Sequence, residues 1–174
     1  MSPFLISQLL AAATLVTGMA AFQLRERKHI LRGWCLAASF AAVHFFILGS
    51  NEAGILIVIT ALRFLVSSFT TDKRLMYLFL ALSVFGFAWT YDNPVSWLAF
   101  AATLAGTWGS FHGSTKAVRI TMMLTEVLWG IHNLIIWSPV AVVMEVLFFT
   151  SNLIGMLRHR KSGVNKGTVT LIRP

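Results

Sequence analysis

Three ionisable side chains interrupt otherwise apolar stretches of this sequence. Arg63 lies within ILIVITALRFLV, Glu126 within TMMLTEVLWG and Glu145 within VAVVMEVLFF. One guanidinium and two carboxylates in such surroundings can form a buried ion pair, carry a proton or bind a small polar solute. If TMMLTEVLWG is helical, Glu126, Gly130, Asn133 and Trp137 follow i, i+4, i+7, i+11 spacing and share a face, with Trp129 alongside. Glu145, Phe149 and Asn152 do the same further on, and Thr60, Arg63 and Ser67 make a third polar line. A few placed polar groups among aromatic and aliphatic ones are what a small-solute site needs. The structural alternative is that Asn133 and Asn152 join neighbouring helices, at about 0.6–2 kcal/mol for each hydrogen bond. His44 and His132 can line an outer mouth or hydrogen bond near the headgroups. Two histidines alone make a poor metal site, and no HxxxH or Cys–His cluster adds ligands. No metal or cofactor is therefore expected.

The elements that must hold these groups follow from composition. The chain has 174 residues, 57% hydrophobic and only 11% charged, with mean hydropathy +0.76. Ordinary soluble domains are about 25% charged, so a soluble monomer is excluded. Seven apolar runs can be read: Pro3–Leu24, Ile30–Leu48, Ala53–Thr70, Leu75–Tyr91, Val95–Phe111, Val118–Trp137 and Val140–Leu157. At about 20 residues per crossing these fill the chain as one membrane domain over 1–174 and leave no soluble domain. No positive residue precedes the first run and Arg25, Arg27 and Lys28 follow it, so it reads as a retained helix and not a cleaved signal. Cys35, the single cysteine, reads as a small core hydrophobe.

The net charge of +8 would point to nucleic acid in a soluble protein. Here its distribution points elsewhere. Of 14 basic residues, 13 flank alternate turns or follow the last run: Arg25, Arg27, Lys28 and Arg32; Lys73 and Arg74; Lys116 and Arg119; then Arg158, Arg160, Lys161, Lys166 and Arg173. The intervening turns have none. The positive-inside rule then gives an outer N-terminus, a cytoplasmic C-terminus and an odd number of crossings, with lipid and not nucleic acid as the partner. The segment Ser162–Pro174 reads as a flexible basic tail within a cytoplasmic stretch 158–174. Arg63 is the one basic residue left over, and it is expected near the bilayer midplane. Depth counting favours Glu126 as its partner, with Glu145 higher in the same interior as a candidate proton carrier.

Sliding the chain against itself by 88 residues aligns 3–70 with 95–157 and leaves 75–91 as a linker helix. Gly18/Gly106, Lys28/Lys116, His44/His132 and Ser50/Ser138 coincide, along with many apolar identities. The plan is then three helices, one linker and three helices, with the two triplets parallel. Parallel repeats of this kind build some transporters, whose solute site lies at the repeat interface near the midplane. Phe79, Phe85 and Phe87 suit a lipid-facing linker, and Gly106–Gly109–Gly113 has the spacing of a close-packing seam.

The basic LRERKHILRGW turn, His44 near the end of the second run and WGIHNLIIWSP in the sixth together resemble the YgjV-type family of bacterial inner membrane proteins. The resemblance covers nearly the whole chain and implies multi-pass insertion in the bacterial inner membrane, with no settled activity. More distantly the plan resembles the SWEET, PQ-loop, PnuC and KDEL-receptor groups, which implies a central cavity for a small solute or peptide. The Pro-Gln pair typical of PQ-loop proteins is missing, so that hinge finds no support. The expectation is an all-α membrane transporter or facilitator of a small polar or anionic solute, compatible with a homo-oligomer and not an enzyme. Its site would comprise Arg63, Glu126, Asn133, Asn152, Trp129 and Glu145. The alternative is a non-transporting receptor or accessory scaffold that binds a peptide, lipid or partner helix.

Overall fold

The computed structural model describes residues 2–47, 51–91, 94–135 and 139–170. They form seven α-helices: α1 (Pro3–Gln23), α2 (Arg27–Ile47), α3 (Asn51–Phe69), α4 (Lys73–Thr90), α5 (Ser96–Phe111), α6 (Thr115–Ile135) and α7 (Pro139–Thr170). Each apolar run is thus one helix, but the helices begin in the basic turns, at Arg27, Lys73 and Thr115, ahead of the first apolar residue. Hydropathy marks the stretch that can enter lipid; backbone hydrogen bonding carries the helix past it into polar residues. The same holds at the other end of α7, where the segment expected to be flexible from Ser162 is helical as far as Thr170. Among the described residues, Pro3–Gln23, Arg27–Ile47 and Ala141–His159 are each long and apolar enough to cross a membrane.

Local signals set the ends. The Ser2 hydroxyl accepts from the Leu5 backbone N–H at 3.3 Å with Pro3 next to it, an N-cap followed by a residue whose missing N–H costs the helix nothing. Asp72 caps α4 by accepting from Arg74 N–H at 2.8 Å.

α2 packs on both α1 and α3, and α6 on both α5 and α7. The two groups meet where α1 touches α7 and α3 touches α5, while α4 lies along α5. Six helices therefore surround a common interior and the fourth stands outside. The main apolar cluster joins Phe22, Ile30, Leu31, Phe64, Val118, Met122 and Phe148, with Trp34 packed against it. The Trp34 ring meets Phe22 and Phe148 edge-on, at 5.1 and 5.0 Å between centroids.

α4 is not lipid-facing along all three of its expected phenylalanines. Phe87 stacks on Phe100 of α5 at 4.2 Å and Phe79 packs against Phe111, so only Phe85 points outward, beside exposed Trp89. The 8-residue separation of Phe79 and Phe87 keeps them on one face of a 3.6-residue helix, whereas Phe85 falls on another. The expected glycine seam is also narrower than its spacing implied. Gly109 has Thr121 pressed against it, Gly106 opens toward Arg63 and Thr125, and a Cβ at Gly113 would meet nothing within 4 Å. The closest approach to another helix's backbone occurs at Gly155 of α7, which lies against the Phe22 carbonyl at the end of α1.

Candidate functional site

The interior between the six helices holds a cavity of about 290 Å³. Each of the six contributes to its wall: Thr14 from α1, Trp34 and Ala38 from α2, Thr60 and Arg63 from α3, Thr103 and Gly106 from α5, Thr125, Glu126 and Trp129 from α6, and Glu145 and Phe148 from α7. Four of the residues expected from sequence, Arg63, Glu126, Trp129 and Glu145, are therefore brought together.

They do not meet as expected. No salt bridge links Arg63 to Glu126; among the described residues, salt bridges join only Glu26 to Lys28 and His29. Arg63 instead donates to the Thr107 hydroxyl at 2.7 Å and, at 3.4 Å, to the Thr103 carbonyl, both on α5. Counting along the helices explains the difference. Arg63 lies six residues in from Phe69 and Glu126 eleven in from Thr115, an offset of five residues or about 7.5 Å along the axis. α5 also offers its hydroxyl and carbonyl at the nearer level. The Arg63 Nε and both Glu126 carboxylate oxygens are buried with no hydrogen-bond partner, although Arg63 is only 8% and Glu126 6% exposed. The Trp34 indole N–H is buried and unpartnered too. Most buried polar atoms are paired, so four orphans on one cavity wall mark it as chemically unfinished.

Asn152 is not part of this wall. It is fully buried, accepts from the Arg119 guanidinium at 3.2 Å and donates back to the Arg119 carbonyl at 2.9 Å. Asn133 is buried beside His132, with 3.4 Å between Oδ1 and the ring Nδ1. Asn152 therefore follows the interhelical alternative, because facing a neighbouring helix and facing the cavity are adjacent arcs of one helix, whereas Asn133 meets His132 within α6 itself. The histidines divide: His44 Nδ1 is 2.8 Å from the Ser7 carbonyl of α1, whereas His132 lines a second cavity of about 400 Å³ between α3, α4, α5 and α6. Arg63, Thr60 and Trp129 border both cavities. Trp137, expected on the α6 face, lies outside the described residues. No group of three or more metal-ligating side chains occurs among the described residues.

Two arginines assigned by sequence to orientation alone are structural ties. The Arg119 guanidinium, in a residue only 2% exposed, reaches the Phe22 carbonyl at 2.8 Å and the Leu24 carbonyl at 2.5 Å at the end of α1. Arg27 reaches the His112 carbonyl at 2.6 Å and the Ser110 carbonyl at the end of α5, and the Ser67 carbonyl on α3. Ser110 and His112 stand 88 residues beyond Phe22 and Leu24. Each tie satisfies carbonyls that the end of a helix leaves open. Gln23 adds a further link, donating to both the backbone and the hydroxyl of Ser151 on α7. Nothing in the local sequence separates Arg119 from its basic neighbour Lys116; the one available signal is its place a full turn inside the helix.

A bundle of apolar helices around a cavity that holds a few buried ionisable side chains defines a helical membrane protein. The family Imp-YgjV, described as bacterial inner membrane protein, matches residues 5–163, and the chain belongs to that family. It is 25% identical over 169 residues to the inner membrane protein YgjV of Escherichia coli strain K12, a match that spans 95% of this chain and 92% of the relative. No solved structure matches. The chain is accordingly a protein of the bacterial inner membrane.

Proposed function

We propose that the chain is a transporter or facilitator of a small polar or anionic solute, built as two parallel three-helix repeats joined by α4, with the solute held in the central cavity. The observation that carries this reading is the pairing of positions in the cavity wall. Thr14/Ala102, Trp34/Met122, Ala38/Glu126, Ala41/Trp129, Ile57/Glu145 and Thr60/Phe148 all line it, and each pair is 88 residues apart. Helix limits recur at the same spacing, since α2 runs 27–47 and α6 115–135, while α3 and α7 start at 51 and 139. The contacts α1 with α7 and α3 with α5 exchange with one another under that equivalence. Thr14 donates to the Ala37 carbonyl and Thr125 to the Ala102 carbonyl, so one interhelical contact is made twice, with donor and acceptor positions swapped. A site at the interface of parallel repeats is the arrangement that transporters of this plan use. The basic ends of the helices face the cytoplasm in this reading.

The reading assigns passage to the chain and no covalent chemistry. Its test is solute exchange in proteoliposomes against a panel of labelled amino acids, organic acids, nucleosides and sugars. The expected result is saturable exchange of at least one class, reduced tenfold or more by Glu126→Gln. A ligand that binds tightly while no member of the panel crosses would overturn it in favour of a second reading, a receptor or accessory scaffold. That alternative draws on the Arg27 and Arg119 ties, which fasten one half to the other at the basic end.

A further inference from the structure

The unpartnered atoms of the central cavity fall into two opposed sets. Acceptors lie on α6 and α7, where both oxygens of Glu126 have no partner and Glu145 lines the wall, its Cβ 3.8 Å from where a Cβ on Gly130 would stand. Donors lie on α2 and α3, where Trp34 Nε1 and Arg63 Nε have none. No salt bridge joins the sets among the described residues. A monoanion satisfies the donors but brings negative charge beside the Glu126 and Glu145 carboxyl groups and offers them no hydrogen-bond donor. A monocation satisfies the carboxylates and leaves Arg63 and Trp34 without acceptors. One solute that carries both charges completes the two sets at once. Aromatic side chains, Phe64, Trp129 and Phe148, make up much of the remaining wall and suit an apolar body, and their π faces also favour an ammonium group. The volume, about 290 Å³, lies at the lower end of ligand pockets and limits the solute to a small molecule.

We propose that the cavity binds a small zwitterion of the α-amino-acid type, with its ammonium toward Glu126 and Glu145 and its carboxylate on Arg63 and Trp34. The assignment rests on the reading of this cavity as the solute site, and it narrows that reading from polar or anionic solutes to molecules bearing both charges.

Two matched series of probes test it by binding to the purified full-length protein in nanodiscs: phenylalanine, phenethylamine and 3-phenylpropionate, then leucine, isopentylamine and 4-methylpentanoate. In each series the body is constant and only the charged groups change. The expected result is that at least one amino acid binds tenfold or more tighter than both its amine and its acid. Glu126→Gln should weaken the amino acid and the amine tenfold or more and leave the acid unchanged. Trp34→Phe, which keeps the aromatic packing, should weaken the amino acid and the acid but not the amine. An acid or amine that binds as tightly as its amino acid overturns the proposal, as does unchanged amino-acid affinity in Glu126→Gln or saturable binding by neither series. Amino-acid binding without exchange in proteoliposomes would end the transporter reading and leave the zwitterion assignment standing. Exchange of a monoanion alone would do the reverse.

Discussion

The backbone N–H of Arg27 donates to the side-chain hydroxyl of Thr115 at 3.2 Å, and the two residues are 88 positions apart. Under the proposed repeat, Arg27 and Thr115 are counterparts, the first residues of α2 and α6. A position that touches its own counterpart lies on the axis relating the halves. The axis therefore leaves the bundle between the starts of these two helices, and the arginine ties stand around it. Arg27 binds the end of α5 and Arg119 the end of α1, through carbonyls that are themselves counterparts.

Removing a tie should therefore destabilise the whole molecule and not one helix. Arg119→Leu takes away the donors for the carbonyls of Phe22 and Leu24 and for the side chain of Asn152. Unsatisfied buried polar groups cost about 1–3 kcal/mol each, and partial relaxation brings the expected total to about 3 kcal/mol. Thermal unfolding of the purified protein in detergent checks this; Arg74→Leu, at an exposed position of α4, serves as the control and should change stability by less than about 0.5 kcal/mol.

Close approach of α7 to α1 makes Gly155 intolerant of any side chain, because its Cβ would enter the space of the Phe22 carbonyl oxygen and approach the Arg119 guanidinium at 2.8 Å. Gly155→Ala should cost upwards of about 2 kcal/mol, the range of overpacked interiors. Gly113→Ala should be close to neutral, since nothing stands within 4 Å of the added methyl. Equal losses in the two variants, measured by the same unfolding assay, would contradict the packing described for α1 and α7.

How far the sequence disclosed this arrangement differs between elements. Seven helices were legible because lipid-compatible runs carry their signal locally, and the 88-residue self-similarity is a property of the chain alone. Arg63, Glu126, Glu145 and Trp129 were legible as a group because an ionisable or amphipathic residue in an apolar helix is confined to the protein interior. Which interior surface each one faces was not. Asn152 and Glu145 lie two turns apart on α7, yet one is locked to Arg119 and the other opens to the cavity. That choice depends on the rotation of α7 against α1 and α6, and periodicity within α7 cannot report it. The partner of Arg63 was missed for a similar reason. Depth was counted from apolar limits, whereas helix α6 begins three residues before its apolar run, at Thr115.

Arg63 and Glu126 share a cavity without forming a pair, so their contributions to stability should be coupled only through that space. A double-mutant cycle with Arg63→Met and Glu126→Gln is expected to give a coupling of about 0.5–1.5 kcal/mol, the lower part of the range for residues joined through a shared cavity. Coupling above about 1.5 kcal/mol would mean that the two charges meet in the empty protein. Thr107→Ala, in contrast, should couple to Arg63→Met by about 1 kcal/mol, the typical net contribution of a hydrogen bond, because its hydroxyl accepts from the guanidinium at 2.7 Å.

The orientation of the bundle has its own test. In a Cys35→Ala background, which removes the single native thiol, Ser2→Cys and Lys116→Cys place one reporter at the start of α1 and another in the first turn of α6, both at exposed positions. The excess of Lys and Arg at the α6 end predicts that this end stays in the cytoplasm. A membrane-impermeant maleimide added to cells with a permeabilised outer membrane should label Ser2→Cys and not Lys116→Cys, and lysis should expose the second. Labelling in the opposite order would invert the topology, and it would place the Arg27 and Arg119 ties at the outer mouth of the cavity instead of its cytoplasmic side. The cavity residues themselves would be unaffected, since Arg63, Glu126 and Glu145 line the same cavity in either orientation.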